Sequence, residues 1–309
     1  MGPLSRSPVV RVFLVALVAL AIGCQRDAGI AERTGAAPGS TSSAYPIEIR
    51  DDLGRTVSLP AEPRRIVSLL PSHTETLFAL GVGARVVGVD DYSDDPPEAA
   101  RLPRLGGLYD AHLEEIVSLE PDLVLVSEQA RTEALERSGL TVWGGSARSF
   151  EDVFRVIQTI GRMLNRISEA TRLSETIRKE VVAVEQRAAA GERVSVYYEL
   201  DAAPYTVGPS SFVGVMLEKA GGDNVIPAGL GDFPRVSPEL VIAGNPSVIL
   251  GVPLADLVAR PGWNRIAAVR DGRVYRLPPE ESRLVVRPGP RIAEGMRVLA
   301  RRLHPGDSP

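Results

Sequence analysis

One long helical stretch constrains this chain more than any other feature. From Ser168 the apolar positions Leu173, Ile177, Val181 and Val184 recur at helical spacing to about Ala190, and Gly191 ends the run. At 1.5 Å per residue such a helix spans roughly 34 Å, about the length of a lobe. A shorter helix precedes it, capped by Ser149, with Glu151 and Asp152 in its first turn and apolar residues at Val153, Phe154, Ile157, Ile160 and Leu164. On either side of this pair, short buried strands alternate with short helices, the pattern of a mainly parallel sheet flanked by helices. The expected architecture is two α/β lobes, 45–148 and 191–309, joined by a rigid helical connector over 149–190.

In the first lobe, Tyr45 to Leu59 alternates around Asp52-Leu53-Gly54-Arg55 and predicts a hairpin turning near Gly54. Ile66 to Leu70 reads as a buried strand, followed by a proline turn at Pro71, the polar pair Ser72-His73, and a helix opened by Thr74 and closed at Gly81. A strand that delivers polar residues to a helix N-terminus presents them at the carboxyl edge of a sheet, where open α/β folds bind ligands. Further strands are expected at Val86–Val89, Leu105–Leu108, Leu123–Val126 and Leu140–Trp143, with a helix at Leu113–Leu119. Between them lies the acidic and aromatic loop from Asp90 to Pro97. No glycine-rich phosphate loop follows any strand, so a nucleotide enzyme is disfavoured.

The second lobe repeats the first in kind. Strands are expected at Val194–Tyr198, Thr206-Val207 and Val248–Leu250, and helices at Phe212–Ala220, at Ser237-Pro238-Glu239 and at Arg291–Leu303. Ile266–Val269 and Arg273–Leu277 flank a turn at Asp271-Gly272.

The N-terminus carries Arg6 and Arg11, then an apolar run from Val12 to Ile22 that stops at Gly23-Cys24. That run is short for a membrane span, which needs about 20 apolar residues, but suits a signal-peptide core over residues 1–23. Leu20-Ala21-Ile22-Gly23-Cys24 resembles a bacterial lipobox, with Cys24 as the lipidated residue. As the sole cysteine, Cys24 allows no intramolecular disulfide. Residues 24–44 turn to Ala, Gly, Ser, Thr and Pro without apolar periodicity, the composition of a flexible tether. The expected location is exported and lipid-anchored to the cell membrane. A net charge of −4 gives no electrostatic footprint for nucleic acid.

RRIVSLLPSHTETLFALG, VGVDDYSDDPPEA, LEEIVSLEPDLVLV, SSFVGVMLEKAGGDNVI, RVSPELVIAGNPSVIL and RPGPRIAEGMRVLARRLHP fall in order along the chain. Together they resemble the helical-backbone class of substrate-binding proteins for ABC importers, and within it the vitamin B12-binding proteins. The resemblance covers about Ile47 to Pro305. It implies a ligand cleft between two α/β lobes, a monomeric capture protein rather than an enzyme, and a membrane permease with its ATPase as partners. It also implies a surface glutamate on each lobe that docks onto the permease, at Glu75 and Glu239. The transported ligand it implies is cobalamin or a related corrinoid, with ferric siderophores or haem as alternatives on the same fold. No catalytic cofactor is expected. A cleft hydrolase is disfavoured because no G-x-S-x-G elbow is present.

A corrinoid is a large flat ring with amide arms, so its site needs aromatic faces and a few polar groups. The candidates are Ser72 and His73 at the start of the first helix, Tyr92, Tyr109, Tyr198, Tyr205 and Phe233 in or near loops after strands, and Arg287, with Arg283 beside it, before the last helix. The tryptophans that surround the corrin in enterobacterial relatives have no counterpart here, with Leu108 standing at one such position. His73, His112 and His304 are too few and too scattered for a cage around a free metal ion.

Overall fold

A computed structural model describes residues 44–107, 110–130, 132–201 and 205–306. The expected lipidation residue Cys24 and the candidate Tyr109 lie outside these. The chain opens with a hairpin of β1 (Ile47–Arg50) and β2 (Thr56–Leu59), turned by Gly54 at φ +80°. Then follow β3 (Ile66–Ser68), α1 (Pro71–Ala79), β4 (Val86–Val89), α2 (Leu113–Ser118), β5 (Leu123–Val126), α3 (Glu133–Arg137) and β6 (Val142–Gly144). These strands form a parallel four-stranded sheet in the order β4-β3-β5-β6. The connector comprises α4 (Asp152–Met163) and the 23-residue α5 (Ile167–Ala189).

The second lobe contains β7 (Val194–Asp201), β8 (Tyr205–Thr206), α6 (Phe212–Lys219), β9 (Gly222–Asn224), α7 (Pro238–Gly244), β10 (Val248–Leu250), α8 (Leu254–Val258), α9 (Ala267–Arg270), β11 (Val274–Tyr275), α10 (Pro279–Val286) and α11 (Ile292–Leu303). Its sheet runs β11-β10-β7-β8. In it β9 also pairs β7 in parallel and β8 is the antiparallel strand. The molecule is therefore a mixed α/β fold of two lobes with a long helix between them.

The connector helix is packed along its length, with Ala170, Ile177, Val181 and Val184 buried and α4, α6 and α11 as neighbours. Gly161 of α4 lets the two connector helices approach closely, since a Cβ there would lie 2.5 Å from that of Ala170. Phe150 stacks on Phe212 at a ring separation of 6.5 Å, joining the connector to the second lobe. One continuous core runs from the first sheet through α4 and α5 to α6 and α11, and the far face of each sheet has a core of its own.

Three expectations change at this level. The first helix begins at Pro71, not Thr74, because proline at the first helical position lacks an N–H that would be orphaned there. Ser72 and His73 consequently lie within its first turn. Over the described part of the expected strand at Leu105–Leu108, residues 105–107, no strand forms: the preceding Arg104 bridges Val89, and Gly106 at φ +83° turns the chain away. Finally, Ile266–Val269 mostly forms the short helix α9.

Candidate functional site

The carboxyl ends of the two sheets and the loops beyond them form the candidate ligand site. In the first lobe, a buried polar network fixes the acidic loop after β4. Thr74 Oγ1 lies 2.8 Å from both Ser68 Oγ and Ser93 Oγ, the Ser93 hydroxyl donates to Asp90, and Asp90 Oδ2 accepts from the Tyr92 N–H at 3.0 Å. Burial pushes the Asp90 carboxyl above the usual carboxylate range, against the pull of its Ser93 and Tyr92 hydrogen bonds. Glu128, beyond β5, is also buried, which pushes its carboxyl up, yet hydrogen bonds from Ser146 and Arg148 prevail and hold it below its ordinary value.

Arginines on and after α10 reach across to this loop. Arg287 pairs with Glu75 at 3.1 Å and with Asp94 at 3.0 Å, and donates to the Tyr92 carbonyl at 2.8 Å. Arg283 pairs with Asp94 at 2.9 Å, and Arg291 pairs with Asp95. Between them lies a cavity of about 200 Å³ lined by residues of both lobes, among them Glu75, Asp95, Arg287 and Arg291. Gly289 completes the contact, because a Cβ there would sit 3.2 Å from that of Ser72. Ser72, Glu75, Tyr92 and Arg287 are thus gathered at one edge where the lobes meet.

Two assignments are corrected by this arrangement. Glu75 is not a surface carboxylate: it is 7% exposed, and burial raises its pKa despite the opposing contact with Arg287. His73 is wholly buried, with its ring 5.5 Å from that of Trp143, and desolvation lowers its pKa to about 4. A side chain one position along a helix from Ser72 points about 100° away from it, and here that direction is the core. Ser72 itself is closed off by Gly289. Trp143 and Trp263 are core residues too.

In the second lobe, the ends of β7, β10 and β11 surround a cavity of about 500 Å³. Tyr198, Leu200, Arg276, Ser282 and Val286 are among its lining residues. Burial raises the Tyr198 phenol to about 12, with a Ser282 hydrogen bond opposing it. Glu199 also reaches this wall, but Arg260 grips its carboxylate at 2.6 and 2.7 Å and stacks over the Trp263 ring. Tyr205 and Phe233 lie on segments linked by the bridge Tyr205–Arg235, and both are exposed, as are Tyr92, Leu200 and Val286. Glu239 is an exposed first-turn acid of α7, which Ser237 caps by accepting from the Leu240 N–H. Glu199, Arg260, Ser282 and Val286 escaped the sequence reading, and only Glu199, at the end of a buried strand, gave any signal there.

Residues 66–281 match the family described as periplasmic binding protein. The chain belongs to the periplasmic binding proteins. It is 31% identical to an uncharacterised ABC transporter substrate-binding lipoprotein of Bacillus subtilis, over 97% of this chain and 98% of that one. A cobalamin-binding protein of Halobacterium salinarum is 29% identical over 93% of this chain and 83% of its own length. Among solved structures, the periplasmic heme-binding protein of Roseiflexus in apo form superimposes with a TM-score of 0.69 at 29% identity, covering 78% of this chain and 98% of that one. The family binds solutes rather than transforming them, and this periplasmic binding protein is a substrate-binding component of the ABC transporter type. Among the described residues no helix is long and apolar enough to cross a membrane.

Proposed function

We propose that this protein is lipid-anchored through Cys24 and captures cobalamin or a related corrinoid for an ABC importer. The observation that carries the reading is the character of the cleft wall. Arg283, Arg287 and Arg291 are each engaged by acids of the first lobe, while Leu200 and Val286 line the second-lobe cavity and Tyr92, Tyr205 and Phe233 are exposed aromatic residues available to a ligand. A wall whose arginines are engaged in this way, Arg276 apart, suits a broad ring with amide arms and at most one anionic group better than the paired carboxylates of haem or a multiply charged siderophore, which would need several free cations. The relative named as cobalamin-binding supports the same choice. Titrating the full chain with aquocobalamin, hemin and a ferric hydroxamate should show saturable binding of the corrinoid at the lowest concentration. Tighter binding of hemin or the hydroxamate would refute the corrinoid assignment.

Docking onto a permease needs an exposed carboxylate on each lobe for steering and orientation. Glu239 meets that need in the second lobe. The first lobe contains a local repeat of the same segment, Leu113-Glu114 through Pro121 to β5 against Pro238-Glu239 through Pro246 to β10. Both helices end at a residue of positive φ, Glu120 at 44° and Asn245 at 41°. The repeat pairs Glu239 with Glu114, an exposed first-turn acid of α2, and we assign the docking role to Glu114 in place of Glu75. Glu114→Ala combined with Glu239→Ala should leave corrinoid titration unchanged and abolish stimulation of the transporter ATPase. Full stimulation by the double variant would remove the assignment.

A further inference from the structure

Among the described residues the cleft wall of the second lobe carries one arginine without a partner. Arg276 follows β11, is exposed, and lines both the 500 Å³ cavity and an adjoining one of about 210 Å³. The two cavities share Glu199, Leu200, Gly251 and Arg276, so they form one continuous depression. No hydrogen bond or ion pair joins Arg276 to any described residue, in contrast to Arg283, Arg287 and Arg291.

The charges around it decide what it faces. Among the described residues lining the larger cavity, the other ionisable side chains are Glu199 and Tyr198. Glu199 is neutralised by the two-point grip of Arg260, and the Tyr198 phenol stays protonated. Asp201 and Asp256 line only the smaller cavity, where Asp201 has a partner of its own and Asp256 lies in the first turn of α8, beside Arg260. Arg276 is therefore the one guanidinium lining the larger cavity, with its donors open, above a wall of Leu200, Leu277, Pro278 and Val286.

We propose that Arg276 recognises a phosphodiester on the ligand and selects complete corrinoids, which carry a nucleotide loop, over corrinoids that lack it. The proposal rests on the corrinoid reading above. Cobalamin carries a single negative charge on the phosphate that links its lower nucleotide to the ring, and cobinamide has no such group. A guanidinium suits a phosphodiester because its planar fork donates two parallel N–H groups to two oxygens. The contact is solvent-accessible, so a discrimination of about tenfold is expected, the equivalent of one charge-assisted hydrogen bond.

The test uses the full chain and two probes, cyanocobalamin and dicyanocobinamide, titrated against wild type, Arg276→Gln and Arg276→Lys. Wild type should prefer cyanocobalamin by about tenfold. Arg276→Gln should bind both probes with the wild-type affinity for cobinamide, which also reports that it is folded, and Arg276→Lys should recover part of the preference. An unchanged preference in Arg276→Gln, or none in wild type, overturns the role of Arg276 while the corrinoid reading stands. Failure of wild type to bind either probe overturns both.

Discussion

At the scale of single residues, neighbouring side chains on α1 do opposite things. Ser72 and Glu75 face the last stretch of the second lobe, whereas His73 is enclosed beside Trp143 in the core of the first. An imidazole in that position is held neutral, because burial disfavours its charged form and lowers its pKa from 6.5 to about 4. In the unfolded chain it protonates at its ordinary value. Above pH 6.5 the group is neutral in both states and its full contribution is present. As pH falls from 6.5 towards 4, the unfolded state binds a proton that the folded state does not, and stability declines. The shift corresponds to about 3 kcal/mol across that window. Denaturant unfolding of wild type and His73→Leu at pH 7 and pH 4.5 should show a loss in wild type that is absent in the variant. Parallel pH profiles for the two proteins would show that His73 is not the group responsible.

At the scale of elements, what was legible in the sequence had a local cause. β5 and β10 are short apolar runs bounded by turn residues, and both appear with the limits their sequences suggest. The long connector helix follows from a stripe of apolar positions, and α7 from a serine, proline and acid in consecutive places. Elements whose cause is tertiary were harder to see. α10 contains Glu280, Glu281 and Arg283 with only Val285 buried, and it is stabilised by packing on α11 and α6, so its own sequence carries a weak apolar period. The same reason hid part of the site. Arg287 was legible only as a residue before the last helix, because its partners Glu75, Tyr92 and Asp94 come from some two hundred residues earlier in the chain. Tyr205 and Phe233 stand exposed beside the second sheet, but no spacing rule distinguishes them from Tyr198, which is buried in the cavity wall.

At the scale of the whole molecule, the contact between Arg287 and Glu75 connects the lobes independently of the connector helix. Both side chains are largely withdrawn from water, at 14% and 6% exposure, so neither loses its partner cheaply. Removing one member of such a pair leaves a buried charge and costs about 3 kcal/mol, whereas removing both costs less than the sum. Burial raises the Glu75 pKa in the folded protein, so its ionised form is disfavoured there. The associated stability is present below the ordinary glutamate range and is lost as pH rises through the interval up to the raised value. Arg287→Ala strips away the opposing positive charge and should widen that interval upward. The deficit of this variant is therefore expected to be greater at pH 8 than at pH 5, which lies nearer the ordinary glutamate range. Asp94 keeps Arg283 as a partner in the same variant, but buried Asp90 also feels the charge of Arg287, so the share of the excess that belongs to Glu75 is the part that disappears when Glu75→Gln is combined with Arg287→Ala. Unfolding of wild type, Glu75→Gln, Arg287→Ala and the double variant at both pH values closes the cycle. Single losses that add to within about 0.3 kcal/mol at pH 8 would show that the two residues act independently and that this edge of the cleft is held by the neighbouring Arg283 and Arg291 pairs instead.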